Sequence, residues 1–277
     1  MSATVLIVEK SMRTLRQSKF VLACGVLCVG FWGVSPSAHG QAPAGQLVSG
    51  AGHQLMALAN QARAQAGVKA LQWDESLAAA ARDHCLRMAA EGPIAHRYGG
   101  EDDLSTRAGK AGALFNFIEE NVAVGTTLAV IHDAWMQSPG HRKNLLNPEV
   151  DRVGIAVVRA RGVLYATADY ARGVQAMTQT EVEARVAGLI QTSGLTILSD
   201  NAQARAACAA DRGPAEAQGP LRPGFIMRWQ NSQMAQLPGP LTEKLASGQY
   251  HQAAVGSCPP QGIEGDFTTY RVAVLLF

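Results

Sequence analysis

The sequence predicts an α+β protein: a three-layer α-β-α sandwich followed by a smaller α/β domain at the C-terminus. Three observations predict it. Residues 54–137 carry mostly helical periodicity, residues 153–170 read as two strands in a row, and one irregular strand falls between the helices. A sheet gathering those strands has two faces to bury, so helices are expected on both. With 277 residues, 47% apolar and 17% charged, the chain can build such cores and is not disordered. Its net charge is only +2, and no basic stripe with interleaved aromatics is present, which excludes a nucleic-acid binder.

In chain order, the first forty residues come apart from the rest. Lys10, Arg13, Arg16 and Lys19 precede the apolar run Phe20 to Val34 and then Ser-Pro-Ser-Ala-His-Gly40. That is a charged leader, a hydrophobic stretch short for a span, and small residues suited to cleavage. A signal peptide over 1–40 is expected, with Met1 or Met12 as the start, and the mature chain secreted or periplasmic. An uncleaved anchor is the competing reading; Cys24 lies too early in the apolar run for a lipoprotein. Export permits disulfides. Of five cysteines, Cys85, Cys208 and Cys258 outlast the leader. Cys208 and Cys258 share the C-terminal region and are expected to pair, whereas Cys85 lies in a helical pattern and reads as a small buried hydrophobe.

Leu55, Leu58, Ala62 and Ala66 predict a helix from about Gln54 to Gly67. Asp74 is the natural cap of the next, with Trp73 packing back on its first turn; that helix runs to Ala90 and stops before Pro93. Ser105 is expected to cap a short third helix. Phe115 to Val124 alternates imperfectly, as an irregular strand does, and Thr127 to Gln137 is again helical. Ser138-Pro139 then reads as a helix start, because proline fits the first helical position. Val153–Val158 and Val163–Tyr170 form a hairpin across Arg-Ala-Arg-Gly. Residues 173–180 read as a linker. In the C-terminal domain, 181–277, a helix over Glu181–Ile190, a loop over 209–224, a strand over Phe225–Trp229, a helix within Leu237–Gly248 and a central strand over Tyr270–Phe277 are expected.

His141 falls in the first turn of the helix begun at Ser138, where the positive helix end disfavours a proton. Such an imidazole can accept a hydrogen bond or ligate a metal; it can equally pack and bond a carbonyl. The order of LQWDESLAAAARDHCLRMAA, His96 in PIAHRYGG, Glu120-Asn121 in IEENVAVG, WMQSPGHRKNLLNP and VGIAVVRARGVLYATADY resembles the bacterial branch of the CAP superfamily. That superfamily comprises the cysteine-rich secretory, antigen-five and pathogenesis-related proteins that share the SCP domain. The likeness covers residues 46–172.

The resemblance implies a cleft holding two histidines and one or two acids. Carried over, these fall on His96, Glu120 and His141, with Asn121 beside them and Ser138 where the eukaryotic branch has a second acid. Such a set could hold a divalent metal, zinc for example, weakly. The function expected is that of an exported, non-enzymatic module whose cleft takes a metal or a small ligand, lipid and peptide being the classes left open. Two alternatives stand beside it: a hydrolase using Glu120 with His141 and His96, and an envelope or extracellular interaction protein working through residues 181–277. A Ser138–His141 couple is discounted on two grounds: a capping serine is engaged by backbone, and no aspartate is placed by motif to orient the histidine. Arg142 and Lys143 read as solvated charges, and His53, His84, His132 and His251 as incidental. A monomer is expected.

Overall fold

The computed structural model describes residues 45–210, 221–259 and 267–277. The expected leader lies outside them. Two sheets organise the chain. The first contains β1 (Gln46–Leu47), β2 (Gln72–Trp73), β3 (Phe115–Gly125), β4 (Arg152–Ala160) and β5 (Val163–Gly173). Its order is β1-β4-β5-β3, with β2 alongside β4 in parallel and the remaining pairs antiparallel. The second contains β6 (Thr196–Ile197), β7 (Phe225–Asn231), β8 (Gln252–Cys258) and β9 (Tyr270–Leu276), ordered β6-β8-β9-β7.

Alternation along β4 sorts the layers of the first sheet. Val153, Ile155 and Val157 join the core beneath α1 (Ala51–Gln65) and α4 (Leu128–Gln137), built on Leu55, Ile131 and Trp135. Ala156, Val158 and Ala160 face the other way, under α2 (Glu75–Glu91), with Cys85 and Met88. Helix α3 (Leu104–Lys110) adds Ala108 to a neighbouring cluster around Phe115. The predicted three-layer sandwich is therefore present. Each fully buried Leu, Ile or Trp contributes on the order of 2 kcal/mol.

Glycine sets the distance between α2 and the sheet. A Cβ on Gly154 would lie 2.0 Å from Ala78 N, so only glycine admits the helix this closely. Strand β3 is an edge, yet its outward carbonyls are met by side chains. Asn144 Nδ2 donates to Glu120 O at 3.2 Å and Trp135 Nε1 to Val122 O at 3.3 Å. Those donors come from α4 and from α5 (Pro139–Leu145), which are thereby fastened beside Glu120.

Several local expectations need correction. Helix α1 opens at Ala51, behind a left-handed Gly50, rather than at Gln54. Asp74 caps α2 as expected, and Trp73 stacks on His53 of α1, centroids 4.0 Å apart. Asp103, not Ser105, caps α3 by accepting from Thr106 N. Both residues can cap; the earlier one also has the extended backbone that a cap requires.

The second sheet carries α6 (Gln179–Gln191) and α8 (Gly239–Ala246) over a core of Val186, Ile190, Leu241, Val255 and Val274. Its other face carries α7 (Ala202–Ala209), and a Cβ on Gly256 would sit 2.1 Å from Arg205 N, repeating the close approach at Gly154. The expected central strand at the C-terminus is β9, flanked by β8 and β7. Sequence reading missed α7 and β8, both small-residue segments with little periodicity; most of the expected 209–224 loop lies outside the described residues. Cys208 and Cys258 are bonded, with Cα atoms 5.7 Å apart, and Cys85 is free and buried. Among the described residues no helix is long and apolar enough to cross a membrane.

Candidate functional site

The three carried-over residues meet at the β3 edge. Glu120 points to the α2 face of the sheet with its side chain 3% exposed. Its Oε1 accepts from His96 Nδ1 at 2.8 Å, and its Oε2 from Arg107 Nη2 at 2.5 Å. His96 lies in the loop between α2 and α3 and is 29% exposed at its side chain. His141 rides on α5, nearly buried, with its ring centroid 6.5 Å from that of His96 and the planes 29° apart. One imidazole is thus held against the acid and the other lies across from it.

Asn121 fixes α5 in place. Its Nδ2 donates to His141 O at 2.9 Å and its Oδ1 accepts from Asn144 Nδ2 at 3.0 Å. Ser138 departs from expectation: it makes no side-chain cap, and its Oγ lies 2.9 Å from His141 Nδ1. Proline still occupies the first helical position, but the hydroxyl faces the ring and not the free backbone N–H groups. Of the two grounds for discounting a Ser138–His141 couple, the cap bond of the serine is therefore overturned.

Four further residues build the wall behind Glu120, and sequence reading passed over all of them. His84, taken as incidental, is fully buried; its Nδ1 lies 2.6 Å from Glu101 Oε1, its Nε2 2.9 Å from Ala95 O and 3.8 Å from Glu120 Oε2. Burial pushes the Glu101 carboxyl up, but bonds from His84 and Tyr98 N–H, with Arg107 nearby, outweigh it and hold Glu101 below its ordinary range. Arg107 reaches both acids, at 3.9 Å from Glu101 and in direct contact with Glu120. Asp169, the strand partner of Glu120, is completely buried and its oxygens meet no hydrogen-bond donor among the described residues. Desolvation, then the Glu120 charge, raise its pKa well above the usual range.

A signal for two of these was present. His84 falls on the same stripe as Leu77, Ala81 and Cys85, and Asp169 sits in a strand apolar on both faces. A titratable group on a buried stripe needs partners.

The residues do not fit a three-ligand metal centre. Both Glu120 oxygens are engaged, one by a guanidinium whose charge opposes a cation, and among the described residues no group of three or more His, Cys, Asp or Glu is placed to hold a metal ion.

Known proteins can be set beside this geometry. The Bacillus subtilis protein YkwD is 32% identical over 114 residues, 40% of this chain and 43% of its own length. A Borreliella burgdorferi protein is 29% identical over 84 residues, 30% of this chain and 54% of that protein. The chain thus spans about half the length of the curated relatives it matches. Among solved structures, an extracellular protein containing a SCP domain from Bacillus anthracis is 27% identical, with a TM-score of 0.40, covering 44% of this chain and 40% of that one. An outer surface protein from Borrelia burgdorferi is 20% identical, with a TM-score of 0.43, covering 47% and 98%. The sequence model described as the cysteine-rich secretory protein family, CAP, matches residues 56–170, the segment that folds as the three-layer sandwich around His96, Glu120 and His141. Residues 56–170 are thus the part of the chain that matches the CAP family.

Proposed function

We propose that the protein is exported and that its CAP domain is a binding module, with the cleft at His96 and His141 as its recognition point and no turnover. The observation that carries this reading is the commitment of Glu120, whose two oxygens accept from His96 and Arg107. Donors on both oxygens compete with a substrate proton for the lone pairs that remain.

His96 is left with a different task. Its Nδ1–H faces a carboxylate, so the neutral ring presents Nε2 as an acceptor from a partly exposed position. A ligand with an N–H or O–H donor suits that nitrogen; peptides and hydroxyl-bearing lipids both qualify. Export is supported by the leader-like residues 1–40 and by the Cys208–Cys258 bridge, since such bonds persist in oxidising compartments. Turnover of a broad panel of peptides and esters by the wild type and by Glu120→Gln tests the reading. Background rates are expected from both. Turnover by the wild type that Glu120→Gln abolishes would replace binding with hydrolysis.

A further inference from the structure

We infer that Arg107 and His84 are positioning residues for the cleft: together they fix the loop and the carboxylate that decide which nitrogen of His96 faces the ligand. The inference deepens, and rests on, the binding role given to that cleft above. The loop carrying His96 has no strand or helix of its own to hold it. Side chains from α2, α3 and the loop itself do so instead. His84 Nε2 holds Ala95 O at 2.9 Å, Arg107 Nη1 donates to His96 O at 3.3 Å, and Glu101 Oε2 accepts from Tyr98 N at 2.8 Å. The same guanidinium that grips the backbone of His96 also grips Glu120, the partner of its ring.

The charge pattern fits this task better than it fits packing. Both nitrogens of His84 face groups that accept, the Glu101 carboxylate and the Ala95 carbonyl. The ring is fully buried, and Glu101 and Glu120 are its acidic neighbours at 2.6 and 3.8 Å, a polar cluster that packing alone does not require. His84 and Arg107 thereby stand behind Glu120 and keep its carboxyl aimed at His96 Nδ1. Without them the carboxylate loses its anchor, and the proton of a neutral His96 can move to Nε2. That exchange turns the outward nitrogen from acceptor to donor and reverses the ligand chemistry the cleft selects.

NMR of the imidazole nitrogens reads this directly in the ligand-free full chain, in mildly alkaline buffer. The result is therefore independent of whether the cleft binds anything, so its failure is distinguishable from failure of the binding role. The proton of His96 is expected on Nδ1 in the wild type and in Arg107→Lys, which keeps the charge. In Arg107→Met and in His84→Phe the population should move toward Nε2–H; Arg107→Gln, which retains an amide donor, serves if Arg107→Met does not fold. Folded variants of these two residues that keep the wild-type ring signature would show that Arg107 and His84 merely pack. A wild type carrying its proton on Nε2 would overturn the assignment outright.

Discussion

Asp169 is the residue whose protonation state the fold decides. Unfolded, it ionises near 3.8; folded, burial and the Glu120 charge keep the proton on to a much higher pH. Across that window the native state binds the extra proton, so the wild type loses stability as pH rises from the unfolded value through the folded one. Asp169→Asn cannot titrate. Its stability relative to wild type should therefore climb with pH over that window, by about 1.4 kcal/mol for each unit traversed. Denaturant melts of the two proteins at a series of pH values measure the slope; parallel curves would place an ionised carboxylate at 169. Residue chemistry of this kind was half legible. The sequence put His96, Glu120 and His141 in one cleft through their family pattern. Arg107 and Glu101 carry no such mark, because a charged residue in a short helix or loop looks solvated until the partner it meets is known. His84 and Asp169 did carry one, in the apolar stripes they interrupt.

Helix α5 shows how an element of seven residues is held at a functional edge. Arg63 of α1, fully buried, donates to Leu145 O at 2.9 Å, Asn147 O at 3.0 Å, Val150 O at 3.0 Å and Lys69 O at 2.7 Å. One guanidinium thus closes the end of α5 and the turn into β4. Arg63→Met keeps the volume and orphans buried carbonyls, at a cost of about 3 kcal/mol or more. A chemical melt should show that loss, and amide shifts of α5 should move with it; an unchanged midpoint would mean that water substitutes freely. The two glycine contacts are the sheet-level counterpart. Gly154→Ala should destabilise the first sheet and Gly256→Ala the second, each by about 1–3 kcal/mol, because the added methyl meets helix backbone that cannot step aside. Helices and long strands were readable from period and cap signals. Caps themselves were less so: Asp103 and Ser105, or Ser138 as cap or ring partner, differ by backbone angle and neighbours, which a lone sequence does not carry.

At the scale of the molecule, two cores meet where β3 begins. Thr268 N donates to Phe115 O at 2.7 Å, Phe115 N to Thr268 Oγ1 at 3.1 Å, and Asn116 Nδ2 to Ser232 Oγ at 2.6 Å. The sandwich was legible because its periodic segments are long and its family pattern ordered. In the C-terminal domain α6, β7, α8 and β9 were legible, whereas β6, α7 and β8 were not, being short or rich in small residues. The disulfide belongs to that second core, tying α7 to the end of β8 across a separation of 50 residues. Its reduction should lower stability by about 2–4 kcal/mol through the loop it closes. Hydrogen exchange should rise in β8, β9 and α7 and stay unchanged in β4 and β5; uniform loss of protection would mean one cooperative unit.

The account turns on Glu120 being engaged inside the protein and so unavailable to a metal. Calorimetric titration of zinc into the wild type and into His96→Ala examines that directly. Small and indistinguishable heats are predicted for the two proteins. A stoichiometric isotherm in the wild type that His96→Ala abolishes would contradict it, by showing that the carboxylate and the imidazoles come free to ligate.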